Sequence, residues 1–388
     1  MIHVMHLLTS LGRGGAERAL ADIVASTDRS RFRHSICYLH PDHSMAEEFR
    51  RAGCELIFLD APVRRGWFKA ADRLRRAVEE RKPALIHTTT FDANLAGRIA
   101  GRRIRVPQIS WLVSMEYDPA SARAAGWSPV KNSVRRWVDQ WSARYARVRF
   151  VACSRAVRDS AARAFRVAPD AIEIIYNPVN PATVKPERGE AEELRRSLGI
   201  PESSFVYFIV GRMDAGKAHE VALDAFHLAA PSQPGAHLVM LGRGPLREVH
   251  RARASEYGLA DRVHLVESAQ RIAPYFELAD VFLFPSRLEG LPVAVLEAMC
   301  ASLPVIVSDI EPHIEVVEDG RTGLIVPKGS AEKMAEAMGR VFASATLRRD
   351  LGSAARSYAL PLFATDVIIP QWEDLFTRLA APAAAQAP

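Results

Sequence analysis

Short apolar runs alternate with longer segments whose apolar residues recur every three or four positions. In the first half the runs at 3–9, 34–39, 55–59, 84–88, 108–113, 148–152 and 172–175 predict strands. Stretches rich in Ala, Arg and Leu, such as 16–26, 69–80 and 154–164, separate many of them and predict helices. The second half repeats the pattern, with strands at 205–210, 237–241, 263–266, 281–284, 304–307 and 323–326. Helical patterns intervene at 220–229, 246–257, 293–301 and 331–342. Strands that alternate with helices make βαβ units and parallel sheets. An unbroken apolar run such as Val206-Tyr207-Phe208-Ile209-Val210 suits a strand covered on both faces.

The alternation pauses at Asn177-Pro178-Val179-Asn180-Pro181 and in the polar stretch that follows. Prolines, charge and little apolar content read as a linker over 179–194. The expected organisation is two doubly wound α/β domains, 1–178 and 195–360, with ligands beyond the carboxyl ends of the strands. A helical segment at 361–380 can return to the first domain, and the tail beyond Ala380 carries no pattern.

A chain of 388 residues has room for two such cores. With 48% hydrophobic and 25% charged residues, neither disorder nor a collagen-like repeat fits. No run approaches the roughly 18–20 apolar residues of a membrane span. Residues 1–8 lack a basic leader and a small-residue cleavage site, so the expected location is the cytoplasm. Cys37, Cys54, Cys153 and Cys300 lie far apart and read as small core residues, not as a disulfide framework or zinc site. Charge is uneven. Residues 1–180 carry 30 Lys+Arg against 18 Asp+Glu, a net of +12, and the remainder is net −6. The basic half can attract anionic lipid, nucleic acid or a polyanionic substrate.

Three segments carry candidate chemistry. Gly12-Arg13-Gly14-Gly15-Ala16 follows the first strand and opens a helix, where glycines admit a ligand close to free N–H groups. A plain tight turn gives the same pattern, and the spacing is neither Gly-x-Gly-x-x-Gly nor a Walker A loop. Gly211-Arg212-Met213-Asp214-Ala215-Gly216-Lys217 follows the first strand of the second domain. Arg212 and Lys217 could grip one anion, or could be two solvated charges. In Glu289-Gly290-Leu291-Pro292-Val293-Ala294-Val295-Leu296-Glu297, the two carboxylates suit hydroxyl donors such as those of sugars. The N–H groups of Gly290 and Leu291 can meet phosphate or sugar oxygens at a helix start. Glu289 could equally serve only the helix dipole. No third acid or histidine accompanies the pair at metal-ligand spacing.

Taken in order, these segments resemble the retaining glycosyltransferases of family 4, which have the two-domain GT-B fold. Gly14-Gly15-Ala16-Glu17-Arg18 is similar to the first-domain opening of members that build bacterial surface polysaccharides. Ile175-Tyr176-Asn177-Pro178-Val179-Asn180 resembles the interdomain Asn-Pro-Val-Asp. Gly211-Arg212 with Lys217, Leu241-Gly242-Arg243-Gly244-Pro245, the Glu-x7-Glu of Glu289 and Glu297, and Gly320-Arg321-Thr322-Gly323-Leu324 complete the series.

The resemblance implies that Arg212 and Lys217 hold a donor diphosphate and that Glu297 binds the ribose. Glu289 with Gly290 and Leu291 would take the transferred sugar, and Gly14 and Gly15 would face the phosphate–sugar junction. Glu315 matches a further family acid. The donor would be a UDP- or GDP-sugar, the acceptor a glycan or lipid-linked hydroxyl, and neither metal nor other cofactor would be needed. Departures are Ala218 for the usual glycine, Asn180 for the linker acid, and a first-domain loop, Trp111 to Glu116, without the family's histidine. His87 ends a different strand and is a candidate for acceptor contact, or a structural residue.

Aromatic and basic residues mingle in 62–82 and 128–150, which suits an anionic membrane surface and a peripheral position on its inner face. The same apolar stripes could instead pack on the sheet. A sugar-nucleotide epimerase of the same architecture and a catalytically silent nucleotide-sugar binder are the alternatives. A nucleic-acid binder is not expected, because no reading motif is present and the second half is acidic.

Overall fold

The computed structural model of the chain describes residues 1–61, 66–101, 103–104, 106–118, 127–145 and 148–381, the side chains of 144 and 145 excepted. The chain divides into two compact units. One comprises Met1–Pro178 with the segment from Thr365 on, and the other is Val179–Ala364.

The first unit holds β1 (Ile2–Leu8), β2 (Phe32–Tyr38), β3 (Glu55–Phe58), β4 (Leu85–Thr89), β5 (Gln108–Leu112), β6 (Val148–Ala152) and β7 (Ile172–Ile174). They form a parallel sheet in the order β3-β2-β1-β4-β5-β6-β7, with Val4 opposite both His34 and Leu85. Successive side chains of a strand point to opposite faces. Val4 and Leu8 therefore join one core, with Leu20, Ile23 and Phe49. Met5 and Leu7 join the other, with Leu74, Val78 and Ile86. Both faces are covered, as near-continuous apolar strands require.

The second unit holds β8 (Phe205–Val210), β9 (Ala236–Leu241), β10 (Val263–Val266), β11 (Val281–Phe284), β12 (Val305–Ser308) and β13 (Leu324–Val326). Their order is β10-β9-β8-β11-β12-β13, again parallel. In both sheets the strand order reverses beside the first strand, between β1 and β4 and between β8 and β11. Such reversal points are where α/β sheets open a crevice for ligands.

Two boundaries differ from expectation. Residues 179–194 lie within the second unit rather than forming a linker. The Val179 N–H donates to the Phe363 carbonyl at 2.8 Å, and Arg271 pairs with Glu187 at 2.7 Å and Glu190 at 2.9 Å. A helix, Glu190–Ser197, starts inside this stretch. It buries only Ala191, so it left no apolar repeat to read. The return to the first unit falls at Ala364, not at 361, because the helix Ala345–Phe363 runs through Pro361. The last helix, Thr365–Ala380, then packs Ile368, Ile369, Trp372, Leu375 and Phe376 into the first unit's core. All four cysteines are buried. Among the described residues no helix is long and apolar enough to cross a membrane.

Candidate active site

In the second unit the chain leaves β8 at the reversal point and turns through Gly211 to Ala218. The Asp214 Oδ1 accepts the N–H groups of Gly216 at 3.0 Å and Lys217 at 3.2 Å, a side-chain-closed turn. Ala218 then takes the left-handed conformation, φ +52°, before the helix His219–Ala229. That conformation costs a non-glycine residue about 1–2 kcal/mol. The loop after β9 crosses this one backbone to backbone. The Gly211 N–H reaches the Leu241 carbonyl at 3.0 Å and the Met213 N–H the Arg243 carbonyl at 2.8 Å. A Cβ on Gly242 would lie 2.0 Å from the Gly211 oxygen, so only glycine fits there.

The loop after β11 supplies the partner. Lys217 Nζ donates to Glu289 Oε1 at 2.7 Å, with the Glu289 side chain 8% exposed and that of Lys217 29%. The Arg287 N–H donates to the Gly216 carbonyl at 2.8 Å and ties the two loops together. Lys217 Nζ also sits 5.1 Å from the Phe284 ring centroid, and the His313 ring lies 5.5 Å from the same ring. His313 is fully buried, and burial pushes its imidazole down to about 4, so it is neutral at pH 7. Its Nδ1–H donates to the Ser308 carbonyl at 2.9 Å. That leaves Nε2 as a buried acceptor with no partner among the described residues.

Arg212, on the same loop as Lys217, is open to solvent, its Nε 3.4 Å from Asp214 Oδ2. Gly290 and Leu291 follow Glu289, and Pro292 caps the helix Val293–Cys300 instead of entering its first turn. Glu297 is buried in the second turn of that helix. This end of the unit therefore offers an exposed cation, a cation held on a carboxylate, and a second buried carboxylate. Such a set can bind an anionic leaving group beside a polyhydroxylated one.

In the first unit, Thr9 follows β1 and the chain turns through Gly12 to the helix Gly15–Ser26, capped by Gly14 in extended backbone. A Cβ on Gly15 would meet nothing within 4 Å. Neither packing nor conformation demands a glycine at that position. Across the reversal point Thr9 Oγ1 and Thr90 Oγ1 share a hydrogen bond at 2.6 Å. Thr90 has φ +71°, strain for a β-branched residue. Such strain is stored at functional sites, at about 1–3 kcal/mol. Beyond it, the Trp67 Nε1–H donates to Asp92 Oδ1 at 2.9 Å, and Arg135 Nη2 donates to Glu116 Oε2 at 3.4 Å. The Arg135 guanidinium lies 3.5 Å from the Trp127 ring centroid and 3.9 Å from that of Phe91. Burial pushes Glu116 up to about 7, against the pull of Arg135, and raises Asp92 as well.

Residues 13–183 match the family model described as Glycosyltransferase Family 4, and residues 190–358 the one described as Glycosyl transferases group 1. Together they span nearly the whole chain. The chain is a glycosyltransferase. It is 26% identical over 383 residues to a GDP-mannose-dependent alpha-(1-6)-phosphatidylinositol monomannoside mannosyltransferase of Mycobacterium tuberculosis, covering 95% of this chain and 94% of that one. A stretch of 170 residues is 35% identical to exopolysaccharide phosphotransferase SCO2592 of Streptomyces coelicolor, covering 43% of this chain and only 18% of that protein. The fold is shared with Anabaena Alr3699/HepE, crystallised with UDP and glucose, at a TM-score of 0.83 and 20% identity over 97% of this chain and 100% of that one.

Of the residues singled out in the sequence, the glycosyltransferase brings Lys217 and Glu289 into contact and sets Arg212, Gly290, Leu291 and Glu297 on the loops and helix around them. Gly14 and Gly15 lie in the other unit. His87 does not fit acceptor contact. It is 1% exposed within β4, with Nδ1 2.8 Å from His6 Nδ1 and its ring among Trp111 at 5.4 Å and Trp372 at 5.1 Å. A polar residue near a strand end reads as available until the covering helix is known, and here that helix is Thr365–Ala380. Sequence reading missed His313, Thr9, Thr90, Asp92 and, as part of a polar cluster, Glu116. For the threonines and Asp92 the signal was their place just past β1 and β4. Nothing in the sequence marked His313 as a neighbour of Glu289.

Proposed function

We propose that this glycosyltransferase moves a sugar from a UDP- or GDP-sugar to a hydroxyl of a glycan or lipid-linked acceptor, with retention at the anomeric carbon. The observation that carries the reading is the Lys217–Glu289 pair at the reversal point of the second sheet. Arg212 and Lys217 bind the diphosphate. Glu289 and the backbone of Gly290 and Leu291 hold the sugar, and Glu297 accepts from the ribose hydroxyls. The relatives support the substrate class: one uses GDP-mannose on a phosphatidylinositol glycolipid, and a structural neighbour holds UDP and glucose.

In the transfer step the bond from the anomeric carbon to the diphosphate oxygen breaks, and negative charge grows on the departing diphosphate. Arg212 and Lys217 stabilise that charge more in the transition state than before it, which is what accelerates the step. These side chains do the work that a divalent cation does in other transferases. The acceptor oxygen forms the new bond on the same face of the sugar, and its proton passes to the leaving phosphate. The acceptor reads best onto the carboxyl ends of β1 and β4, where Thr9, Thr90, Asp92 and Glu116 offer hydrogen-bonding groups. Gly15, where a Cβ would meet nothing within 4 Å, leaves its loop open to a substrate. The enzyme works peripherally, on the inner face of an anionic membrane that carries the acceptor.

A thermal-shift panel of nucleoside diphosphates and their sugars tests the donor. A ligand at 100 times its dissociation constant adds about 2.7 kcal/mol of stability. The expected result is a shift with one base that Arg212→Ala and Lys217→Ala both reduce. No shift with any nucleoside diphosphate overturns the reading.

A further inference from the structure

The helix Pro129–Tyr145 is built inside out. At 3.6 residues per turn, Val130, Val134, Trp137 and Trp141 fall within an arc of about 60°. That stripe faces solvent: the four side chains are 74%, 55%, 63% and 42% exposed. The inward face is polar. Asp139 and Ser142 are buried there, and Arg98 from the helix Phe91–Gly101 donates to Asp139 and, at 3.2 Å, to Ser142 Oγ. The Tyr117 hydroxyl donates to the other Asp139 oxygen. A helix that spends its polar groups on the core and its tryptophans on the outside is unlike the helix Trp67–Arg81, which is also basic and aromatic in sequence. That helix buries Ala70, Ala71, Leu74, Ala77 and Val78 in the ordinary way.

We infer that the outward face of the helix Pro129–Tyr145 is a lipid-inserting surface for an anionic membrane. Lys131 and Arg136 are exposed on the two sides of the stripe, about 90° and about 130° round the helix from its middle. Asp139 is the helix's single acid, and it is turned inward against Arg98. Among the described residues every charge this helix presents outward is therefore positive, on a half-chain of net +12. Tryptophans between cations suit the depth where headgroups meet acyl chains, with the apolar stripe buried and the cations on phosphates. A second copy of the chain fits less well. Two tryptophans and two valines offer on the order of 400 Å², against about 800 Å² per partner in a stable interface. Two such faces would also bring Lys131 and Arg136 against their own copies. The inference rests on the glycolipid-acceptor reading and names the element that would bring the enzyme to that acceptor.

The test is co-sedimentation of the full chain with phosphatidylglycerol-containing vesicles and with phosphatidylcholine vesicles, at low and high salt. Tryptophan emission is followed in parallel. The wild type should pellet with the anionic vesicles at low salt, with a blue shift, and leave at high salt. Val134→Ser/Trp137→Ser/Trp141→Ser should bind about tenfold more weakly or worse, because it removes most of the inserted area. Lys131→Glu/Arg136→Glu should lose the preference for anionic lipid. Neither variant touches the second unit, so both should keep the wild-type thermal shift with nucleoside diphosphate. That second readout separates failure here from failure of the donor assignment. A wild type that stays in the supernatant, or a serine variant that pellets equally, overturns the inference. So does a wild-type dimer that the serine substitutions convert to monomer, since the stripe's occupant would then be a second copy.

Discussion

Lys217 and Glu289 stand 72 positions apart in the chain, yet Nζ and Oε1 meet at 2.7 Å where the second sheet reverses its strand order. The pair holds a cation in place in the unliganded protein by giving it an anion. A diphosphate would share that cation. The two partners should therefore differ when removed. Lys217→Ala should weaken nucleoside diphosphate binding and slow transfer about 10²- to 10³-fold, as expected for losing one preorganised donor at a developing anion. Glu289→Ala should slow transfer comparably while leaving diphosphate affinity unchanged or tighter, because it removes a like charge from the site. Calorimetry with the diphosphate and steady-state transfer assays read the two effects. Parallel losses of affinity in both variants would contradict separate roles.

Gly15 should matter only when substrate is bound. With no atom within 4 Å of a Cβ there, Gly15→Ala should melt within about 0.5 kcal/mol of the wild type, like other changes that touch nothing. Transfer should nevertheless fall by tenfold or more, about 1.4 kcal/mol of barrier. A variant that transfers normally would show that this loop does not touch substrate.

His87 should be dispensable for chemistry and costly for stability. His87→Asn removes the ring between Trp111 and Trp372 and leaves His6 Nδ1 short of its partner. The expected loss is about 1–3 kcal/mol in unfolding, with transfer by the folded enzyme near the wild-type rate. A large fall in kcat with unchanged stability would return His87 to the acceptor site.

The same histidine belongs to a buried chain that dictates acid sensitivity. His6 Nε2 lies 2.9 Å from His34 Nδ1, and His34 Nε2 lies 2.7 Å from Thr27 Oγ1. Burial, reinforced by the neighbouring imidazoles, pushes His34 down to about 4 and His87 to about 3. His6 falls well below the usual histidine range for the same reasons. The unfolded chain takes up protons here below pH 6.5 and the folded chain does not. Stability should thus fall as pH drops from about 6.5 toward 4. Thermal melts across that range should show wild type losing more than His87→Asn, so the gap between them should narrow on acidification. A gap that stays constant would mean these rings are not neutral in the fold.

Much of the architecture was legible because apolar runs and helical repeats are themselves the consequence of a sheet covered on both faces. Val206 to Val210 could hardly be anything but an interior strand. The short helix Glu190–Ser197 was not legible, since one buried alanine leaves no period. Within the site, residues on glycine-marked loops after strands were readable because backbone approach to a ligand needs particular residue types. His313 was not, because its place under Phe284 is set by the tertiary packing of the four-residue helix Glu311–Ile314, too short to leave an apolar repeat. The segments 62–82 and 128–150 looked alike in sequence. Only the side-chain network beneath Asp139 decides which of their helices turns its apolar face outward. Arg64, Arg65 and Arg147, counted with these segments, lie outside the described residues.

The chain enters the second unit at Val179 and leaves it at Ala364, and these two residues are bridged side by side. The two ends of that unit therefore lie together. A fragment spanning 179–364 should be expressible by itself and show the same thermal shift with nucleoside diphosphate as the full chain, whereas cutting after Pro178 would strip its companion of Trp372 and Phe376 and leave a hole in place of a core.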